Sequence, residues 1–278
     1  MTILVSNANG KVGQEVVRLL VERGADLRVG ARDTAKAQAE FPGAKVVALD
    51  FDRPETLAAA VAGVDSIFAA TAYPLLPKAE LDLLAVAKAA GVKRIVKMSA
   101  LGAELDPTSP HSVVETAIQE SGLAWTFLRP TFFNQNYATQ SAAAVKAGAF
   151  YEPAAGGATS FVDTRDIAAV AVEALTKPGH DGHAYALTGP AALTRAEVAA
   201  ILSKASGHEV VYVAVDDAAL RGALAGAPQT LVELMVTLFG YVRAGYTAAV
   251  SPDVEKVLGR PARDFASFAA DYADLWKR

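Results

Sequence analysis

Short runs of β-branched and apolar residues alternate with longer segments of helical periodicity along the first half of the chain. A parallel sheet with crossover helices produces this alternation. The first run, Thr2–Ser6, is apolar almost throughout, which is typical of a strand buried on both faces. We therefore expect an α/β fold, a Rossmann doubly wound parallel sheet. The remaining predicted strands of this sheet are Asp26–Ala31, Ala44–Leu49, Ser66–Ala70, Arg94–Ser99 and Ala124–Leu128.

Helices are predicted between these strands from the spacing of their apolar residues. The first covers about Val12–Arg23, and Gly24 ends it. The next is expected to be capped by Asp52 and to run to Ala62. Two further helices of this half are predicted, one at Ala79–Ala90 and one from Ser109 or Pro110 to Ser121.

Beyond Arg129 the alternation becomes less regular. We expect residues 1–150 to form the Rossmann core and residues 151–278 a smaller C-terminal α/β substrate lobe, interleaved with the sheet edge as one structural unit. A capping box at Thr194 and Glu197 predicts the start of one helix there. The elements predicted for this half are a strand pair of Phe150–Tyr151 with Phe161–Val162, helices at Asp166–Thr176 and Thr194–Gly207, a strand at Val210–Val215, and helices from Asp216 to Arg278.

Composition excludes several classes of function. The 278 residues include no cysteine, so disulfides, thiolate catalysis and cysteine-ligated metal are excluded. The formal net charge is −4 without a basic stripe, which argues against nucleic acid and anionic membranes as partners. No secretory signal or membrane span is evident. We expect a soluble cytoplasmic protein, a monomer or homodimer, with a small-molecule substrate and no metal.

The segment from Ser6 to Gly13 lies between a predicted strand and a predicted helix, which is the context of a dinucleotide-binding loop. Gly10 lets the backbone approach a pyrophosphate at the helix N-terminus, and Gly13 allows close packing of helix on strand. Asn7 occupies the place of the first glycine, and asparagine tolerates a positive φ better than most residues. An ordinary strand-to-helix turn is the alternative. The candidate cofactor residues here are Asn7, Ala8, Asn9, Gly10, Lys11 and Val12.

The residue at the tip of the second strand indicates which dinucleotide is bound. NAD-specific enzymes place an acid there for the ribose hydroxyls, whereas this chain has Arg32, whose guanidinium can pair with a 2′-phosphate. The alternative is a solvated surface arginine. Asp33 is predicted to cap the next helix, and Asp50 and Phe51 to border the adenine. The sequence therefore predicts NADP(H).

Several segments together resemble the NmrA-like atypical short-chain dehydrogenases, and within them the quinone, triphenylmethane-dye and azo reductases. The resemblance covers nearly the whole chain. It implies that Thr71, Ala72 and Tyr73 contact NADPH and that Pro130, Thr131, Phe132, Phe133, Asn134 and Gln135 lie near its nicotinamide. Asn7 departs from the family's usual glycine. The segments that carry the resemblance are the loop, Arg32, Val64–Phe68, Leu128–Asn136, Phe161–Ala168, Leu187–Pro190, Asp253–Glu255 and Gly259–Pro261.

Typical short-chain dehydrogenases use a Tyr-x-x-x-Lys pair, and no tyrosine here has a lysine four residues on. The corresponding helix carries His111 and Glu115 instead, as the family does. His111 can serve as a proton donor, because imidazole titrates near neutrality, or it is a helix-start histidine bonded to a loop. Ser99 matches the position of the dehydrogenase serine and can equally be a structural hydroxyl.

Aromatic residues follow the predicted strands where the crevice of an open sheet should lie. Tyr73, Phe132 and Phe133 can form a wall for a flat acceptor or belong to the core, and Asn136 can orient that acceptor. The segment His180–His183 superficially suggests a metal, but it follows Pro-Gly and is predicted to be a turn. We expect an NADPH-dependent reductase of a quinone, azo dye or similar acceptor. The alternatives are a non-catalytic dinucleotide-binding redox sensor and, last, a carbon–carbon double-bond reductase.

Overall fold

The computed structural model describes residues 1–71 and 73–278. Within these residues the main sheet has seven strands in the order β3-β2-β1-β4-β5-β6-β9, and every neighbouring pair from β3 to β6 is parallel. The Rossmann prediction is confirmed. The strands are β1 Thr2–Val5, β2 Asp26–Ala31, β3 Lys45–Ala48, β4 Ser66–Ala69, β5 Arg94–Met98, β6 Ala124–Pro130, β7 Ala149–Glu152, β8 Ala158–Thr159, β9 His183–Leu187, β10 Leu193–Thr194 and β11 Val211–Ala214.

The helices between the strands are short to medium in length, and three-residue 3₁₀ turns occur at 103–105, 134–136 and 273–275. No described helix is long and apolar enough to cross a bilayer. The helices are α1 Lys11–Glu22, α2 Thr34–Glu40, α3 Glu55–Val61, α4 Lys78–Ala89, α5 Pro110–Gln119, α6 Ala142–Ala147, α7 Thr164–Thr176, α8 Arg195–Ser206, α9 Asp217–Ala223, α10 Gln229–Arg243, α11 Asp253–Leu258 and α12 Phe265–Asp271.

The chain forms two compact units. The first comprises residues 1–130 and 164–186, and the second residues 131–163 and 187–278. The sequence places one division at residue 150, whereas the chain in the structure leaves the first unit after Pro130 and returns to it for α7 and most of β9.

The first unit is built on the buried strands of the sheet. Helix α1 turns Val12, Val16 and Leu20 inward and packs against α7. One apolar cluster extends from Leu4 to Phe127 and includes side chains of α3, α4 and α5. Burial of an amphipathic face, rather than helix propensity, stabilises elements this short.

The second unit is held together by aromatic side chains. Tyr137 packs edge-on against Phe150, Phe161 and Phe265, with ring centroids 5.3 to 5.7 Å apart. Trp276 is fully buried and its Nε1–H donates to the Tyr137 carbonyl at 3.0 Å. The end of the chain is therefore anchored in this core.

Two sequence predictions were wrong in the structure. Phe150–Tyr151 does not pair with Phe161–Val162: β7 pairs in parallel with β11, and β8 pairs with β10. Phe150 and Phe161 lie in the same aromatic core, which gives both short runs the pattern of a buried strand. Asp52 does not cap α3, which begins after Pro54, and its N–H instead donates to Asp50 Oδ1 at 3.1 Å.

Local start signals were predicted more successfully. The side chain of Asp33 accepts from the Lys36 N–H at 2.9 Å, which confirms it as the cap of α2. The capping box of Thr194 and Glu197 is present at α8. The sequence missed β9, a five-residue strand whose first two residues are exposed.

Candidate active site

The loop between β1 and α1 has the backbone that its sequence requires. Asn7 is exposed and has a φ of 51°, so asparagine does adopt the left-handed conformation predicted for it. Its carbonyl accepts a hydrogen bond from the Gly10 N–H at 2.9 Å, which closes the turn. Ala8 is fully buried beneath the loop, and Val12 is buried at the start of α1. The loop therefore leads directly into the N-terminus of α1, where the helix dipole and free backbone N–H groups favour a bound anion.

Gly13 is required by the close approach of α1 to this loop. A Cβ on Gly13 would lie 2.2 Å from the Asn7 carbonyl oxygen and 2.9 Å from the Ala8 Cα. A Cβ on Gly10 would be less crowded, at 3.0 Å from the Asn7 side-chain nitrogen. Gly13 therefore allows α1 to pack against the loop, and Gly10 leaves the backbone beside Asn7 without a side chain, as a bound pyrophosphate requires.

An acidic residue that the sequence analysis missed supports the outer side of the loop. The Glu40 carboxylate, at the end of α2, accepts hydrogen bonds from the Asn9 side chain and, at 2.9 Å, from Gln14. Nothing in the sequence distinguishes Glu40 from other surface acids, because its partners are 26 and 31 residues away in the chain.

Arg32 directly follows β2 and is exposed. The nearby Asp50 carboxylate has a pKa below its usual range, chiefly because it bonds to Arg53, and the charge of Arg32 adds to this effect. Phe51 is half-buried against the core of the first unit. Lys11 is half-buried at the start of α1, and burial lowers its pKa. The first unit therefore presents exposed positive charge at the tip of β2.

Thr71 and Tyr73 follow β4, and both are half-buried. Ala72, the third residue of this predicted contact, lies outside the described residues. The strand ends of β1, β4 and β5 meet at one edge because these strands are parallel neighbours. The loop after β4 therefore belongs to the same edge as the loop that contains Asn7.

A charged pair missed by the sequence analysis lies inside this edge. Lys97, near the carboxyl end of β5, is 0% exposed, and its Nζ donates to Glu80 Oε2 of α4 at 2.6 Å. Burial raises the pKa of the Glu80 carboxyl, and the Lys97 ammonium acts in the opposite direction. The available signal was the lysine itself, which directly follows the apolar pair Ile95 and Val96 in a buried part of the strand.

His111 lies in the first turn of α5, with its Nδ1 3.3 Å from Lys97 Nζ. Burial, and after it the charge of Lys97, lowers the pKa of His111 to about 3. The imidazole is therefore neutral at physiological pH, and the expectation that it titrates near neutrality is wrong. A neutral imidazole still carries one N–H and can donate a hydrogen bond.

Ser99 is 4% exposed, and its hydroxyl donates to Glu115 Oε1. The same carboxylate accepts hydrogen bonds from Arg129 Nε at 3.1 Å and from Arg129 Nη2 at 2.6 Å. Arg129 also pairs with Glu104 at 3.0 Å. His111 and Glu115 thus belong to two different polar networks of α5. The engagement of Ser99 with Glu115 favours the structural interpretation of its hydroxyl.

The segment after β6 contains buried polar atoms without partners. Asn134 is 0% exposed, and among the described residues neither its Nδ2 nor its Oδ1 finds a hydrogen-bond partner. The buried hydroxyl of Thr131 also lacks a hydrogen-bond partner among the described residues. Gln135 differs, since its Nε2 donates to the buried Asp163 at 2.9 Å. Unsatisfied polar groups in a native interior are costly, so the Asn134 amide fits a ligand with a donor and an acceptor.

Phe132 and Phe133, which begin this segment with Thr131, are half-buried. Phe132 lies 6.5 Å from Phe161 and 6.0 Å from Phe239, ring centroid to ring centroid, and 5.9 Å from the Arg195 guanidinium. Its packing agrees with the core alternative. Asn136 is half-buried in a 3₁₀ turn.

The segment His180–His183 is a turn, as predicted. Gly182 has a φ of 78°, Asp181 pairs with Arg94 at 2.9 Å, and His180 Nδ1 lies 2.9 Å from the Tyr185 hydroxyl. The described part of the chain contains no group of three or more His, Cys, Asp or Glu side chains that could hold a metal ion.

Comparison with known proteins agrees with this geometry. A model of the NmrA-like family matches residues 1–269. The NAD(P)H azoreductase of Xenophilus azovorans is 44% identical, over 98% of each chain. The (4-alkanoyl-5-oxo-2,5-dihydrofuran-3-yl)methyl phosphate reductase of Streptomyces griseus is 35% identical, over 99% of each. The NADPH complex of the Escherichia coli NADPH-dependent quinone oxidoreductase has a TM-score of 0.86 at 28% identity, covering 97% of this chain and 99% of its own.

Proposed function

Since the chain belongs to the NmrA-like family, as its motifs indicate, we propose that it is an NADPH-dependent reductase of quinones, azo dyes or similar conjugated acceptors. The observation that carries the proposal is the loop between β1 and α1, whose backbone is arranged for a pyrophosphate, with Arg32 exposed at the tip of β2. The sequence relative at 44% identity is an NAD(P)H azoreductase, and the similar solved structure is a quinone oxidoreductase bound to NADPH.

The residues present fit the dinucleotide. The loop with Gly10 and Gly13 would hold the pyrophosphate, and Arg32 would pair with the 2′-phosphate through charge-assisted hydrogen bonds. When bound, NADPH supplies the hydride.

The protein's own contribution to the chemistry is modest. A quinone or azo group that accepts a hydride becomes an anion, and a hydrogen-bond donor stabilises that charge. His111 is the candidate donor, through its neutral imidazole. Ser99 is already engaged with Glu115 and serves the geometry of α5. Tyr73, Phe133 and Asn136 remain candidates for contact with the flat acceptor, and Phe132 for a side chain behind it.

The second candidate function is a redox sensor that binds the dinucleotide without turnover, since the Tyr-x-x-x-Lys pair is missing. NADPH oxidation by the purified protein separates the two. The acceptors are a benzoquinone, a naphthoquinone, an azo dye, a triphenylmethane dye and a dihydrofuranone lactone. We expect turnover with the quinones or the azo dye. A protein that binds NADPH and oxidises it with none of the five would be a sensor, and turnover of the lactone alone would assign double-bond reduction.

Arg32→Ala tests the cofactor preference, with Arg18→Ala as its control. Arg18 lies on α1 and pairs with Glu15 and Glu22, away from the tip of β2. Loss of a charge-assisted pair of about 1.5–3 kcal/mol predicts a 10- to 100-fold weaker Kd for NADPH and little change for NADH. An equal loss for both nucleotides would remove the 2′-phosphate from the proposal.

We also propose that the protein is a monomer or a homodimer and that it acts in the cytoplasm. Light scattering of the purified protein measures the first.

A further inference from the structure

A lysine without solvent contact in a sheet strand needs a reason. Lys97 is 0% exposed in β5, and a buried ammonium is unfavourable unless it is paired and hydrogen-bonded. Each of its three N–H donors has an acceptor: Glu80 Oε2 at 2.6 Å, the Met98 carbonyl at 3.1 Å and His111 Nδ1 at 3.3 Å. The side chain is therefore fixed, and the one partner that is neither backbone nor counterion is His111.

We propose that Lys97, held in place by Glu80, is a positioning residue that keeps the His111 imidazole in the tautomer with its proton on Nε2. The inference rests on the proposed reductase function, in which His111 is the donor to the reduced acceptor. It assigns a reaction-related role to two residues, Lys97 and Glu80, that do not themselves touch the acceptor.

The tautomer follows from the donors and acceptors of the pair. An ammonium has donors only, so the contact of Lys97 Nζ with Nδ1 is attractive only when Nδ1 carries a lone pair. The single proton of the neutral ring is then on Nε2. The contact with Lys97 uses Nδ1, which leaves the Nε2–H as the ring's hydrogen-bond donor toward a ligand. Without Lys97 neither ring nitrogen would be fixed as the donor.

Among the charged groups near His111, Lys97 is the one that contacts the imidazole directly. Glu80, from α4, is bonded to Lys97. Glu115, on α5 itself, and Glu104, in the turn before it, are both paired with Arg129 of β6. The neutral state of the imidazole, whose pKa is lowered to about 3 by burial and by the Lys97 charge, agrees with this arrangement.

The position of His111 suits contact with an acceptor. Helix α5 begins beyond the carboxyl end of β5, at the same edge of the sheet as the loop that contains Asn7. In open parallel sheets the ligand binds at this edge. Hydride from NADPH carries two electrons to a quinone and leaves negative charge on an oxygen. The Nε2–H of His111 hydrogen-bonds to that oxygen, and a proton from solvent completes the hydroquinone, so that quinone, NADPH and one proton give hydroquinone and NADP⁺.

The test replaces the buried pair as a unit, because removing Lys97 alone would strand the Glu80 carboxylate. The variant Lys97→Met with Glu80→Gln keeps the volume and removes both charges. It is compared with wild type, with His111→Asn, and with the triple variant that combines all three changes. The surface pair Lys78 and Asp82 of α4, changed to Met and Asn, is the matched control. Thermal unfolding and the Kd for NADPH verify that each variant folds and binds.

Two measurements decide the proposal. Nitrogen-15 shifts of the His111 ring, recorded with NADP⁺ bound, should show one tautomer in the wild type and a mixture in the Lys97→Met, Glu80→Gln variant. In steady state that variant should lose 10- to 100-fold in kcat with a quinone, keep its Kd for NADPH within twofold, and lose nothing further in the His111→Asn background.

Either of two results overturns the positioning role: an unchanged tautomer in the variant, or an equal loss of kcat with and without His111. If the wild type reduces no acceptor, the proposed function itself fails. The tautomer measurement then still decides whether Lys97 fixes the imidazole.

Discussion

The low pKa of His111 makes the protein's stability depend on pH in a defined window. Burial and the Lys97 charge lower this pKa to about 3 in the folded state, from 6.5 in an unfolded chain. Below pH 6.5 the unfolded chain therefore binds a proton that the folded protein refuses, and stability falls as pH falls. The contribution is fully present above pH 6.5 and is lost progressively down to about pH 3.

Each pH unit within that window corresponds to about 1.4 kcal/mol. Between pH 7.0 and pH 4.5, His111 alone should lower the free energy of unfolding by about 2–3 kcal/mol. His111→Gln removes the titrating group, so the variant should lose less stability over the same range by that amount. Burial also raises the pKa of Glu80, which has the opposite sign, but Glu80 is present in both proteins and cancels in the difference.

Urea unfolding at pH 7.0, 6.0, 5.0 and 4.5, followed by circular dichroism, gives the four free energies for each protein. His183→Gln is the control, because that ring lies on the surface at the start of β9. Its pH dependence should follow the wild type. Parallel curves for wild type and His111→Gln would contradict a lowered pKa of His111, since they would mean that the ring accepts a proton as readily in the folded protein as in the unfolded chain.

Two further predictions concern the loop after β1. Gly13→Ala places a Cβ 2.2 Å from the Asn7 carbonyl oxygen, so we expect urea unfolding to show a stability loss of about 1–3 kcal/mol, together with weaker binding of NADPH. The control is Gly222→Ala, where nothing lies within 4 Å of the added Cβ, and it should keep both its stability and its affinity for NADPH. Equal stability of the two variants would contradict the close approach of α1 to the loop. Asn7 has a φ of 51°, so the variant Asn7→Ala should be less stable than wild type by about 1–2 kcal/mol, whereas Asn7→Gly should stay within about 1 kcal/mol of it. The same unfolding assay would contradict this prediction if the Ala variant were more stable than the Gly variant.

Features with a local cause could be predicted from the sequence. The alternation of strands and helices follows from apolar spacing, and Asp33 caps α2 because a side chain and an N–H three residues apart meet at any helix start. Asn7 is predictable for the same reason, since the turn and the residue's tolerance of positive φ are both local. Candidates for the pyrophosphate and the 2′-phosphate could therefore be named before the structure.

Features that depend on distant partners could not be predicted. The pairing of β7 with β11 joins residues about sixty positions apart, and the short aromatic run at Phe161 gave a competing signal of equal strength. His111 was recognised as a candidate, but its neutral state depends on burial and on Lys97, fourteen residues earlier. Periodicity contains no information on which buried groups meet.

Lys97 shows how a residue that contradicts its local pattern indicates function. A buried ion pair contributes little net stability, because desolvation offsets the attraction of its charges, and an apolar pair of similar volume often does as well. Stability therefore supplies no reason for a lysine inside β5, opposite Glu80. The need for a hydrogen-bond donor 3.3 Å from His111 Nδ1 does explain the lysine, since no apolar side chain can keep that nitrogen as an acceptor. It follows that replacing the pair should leave the fold intact while changing the histidine.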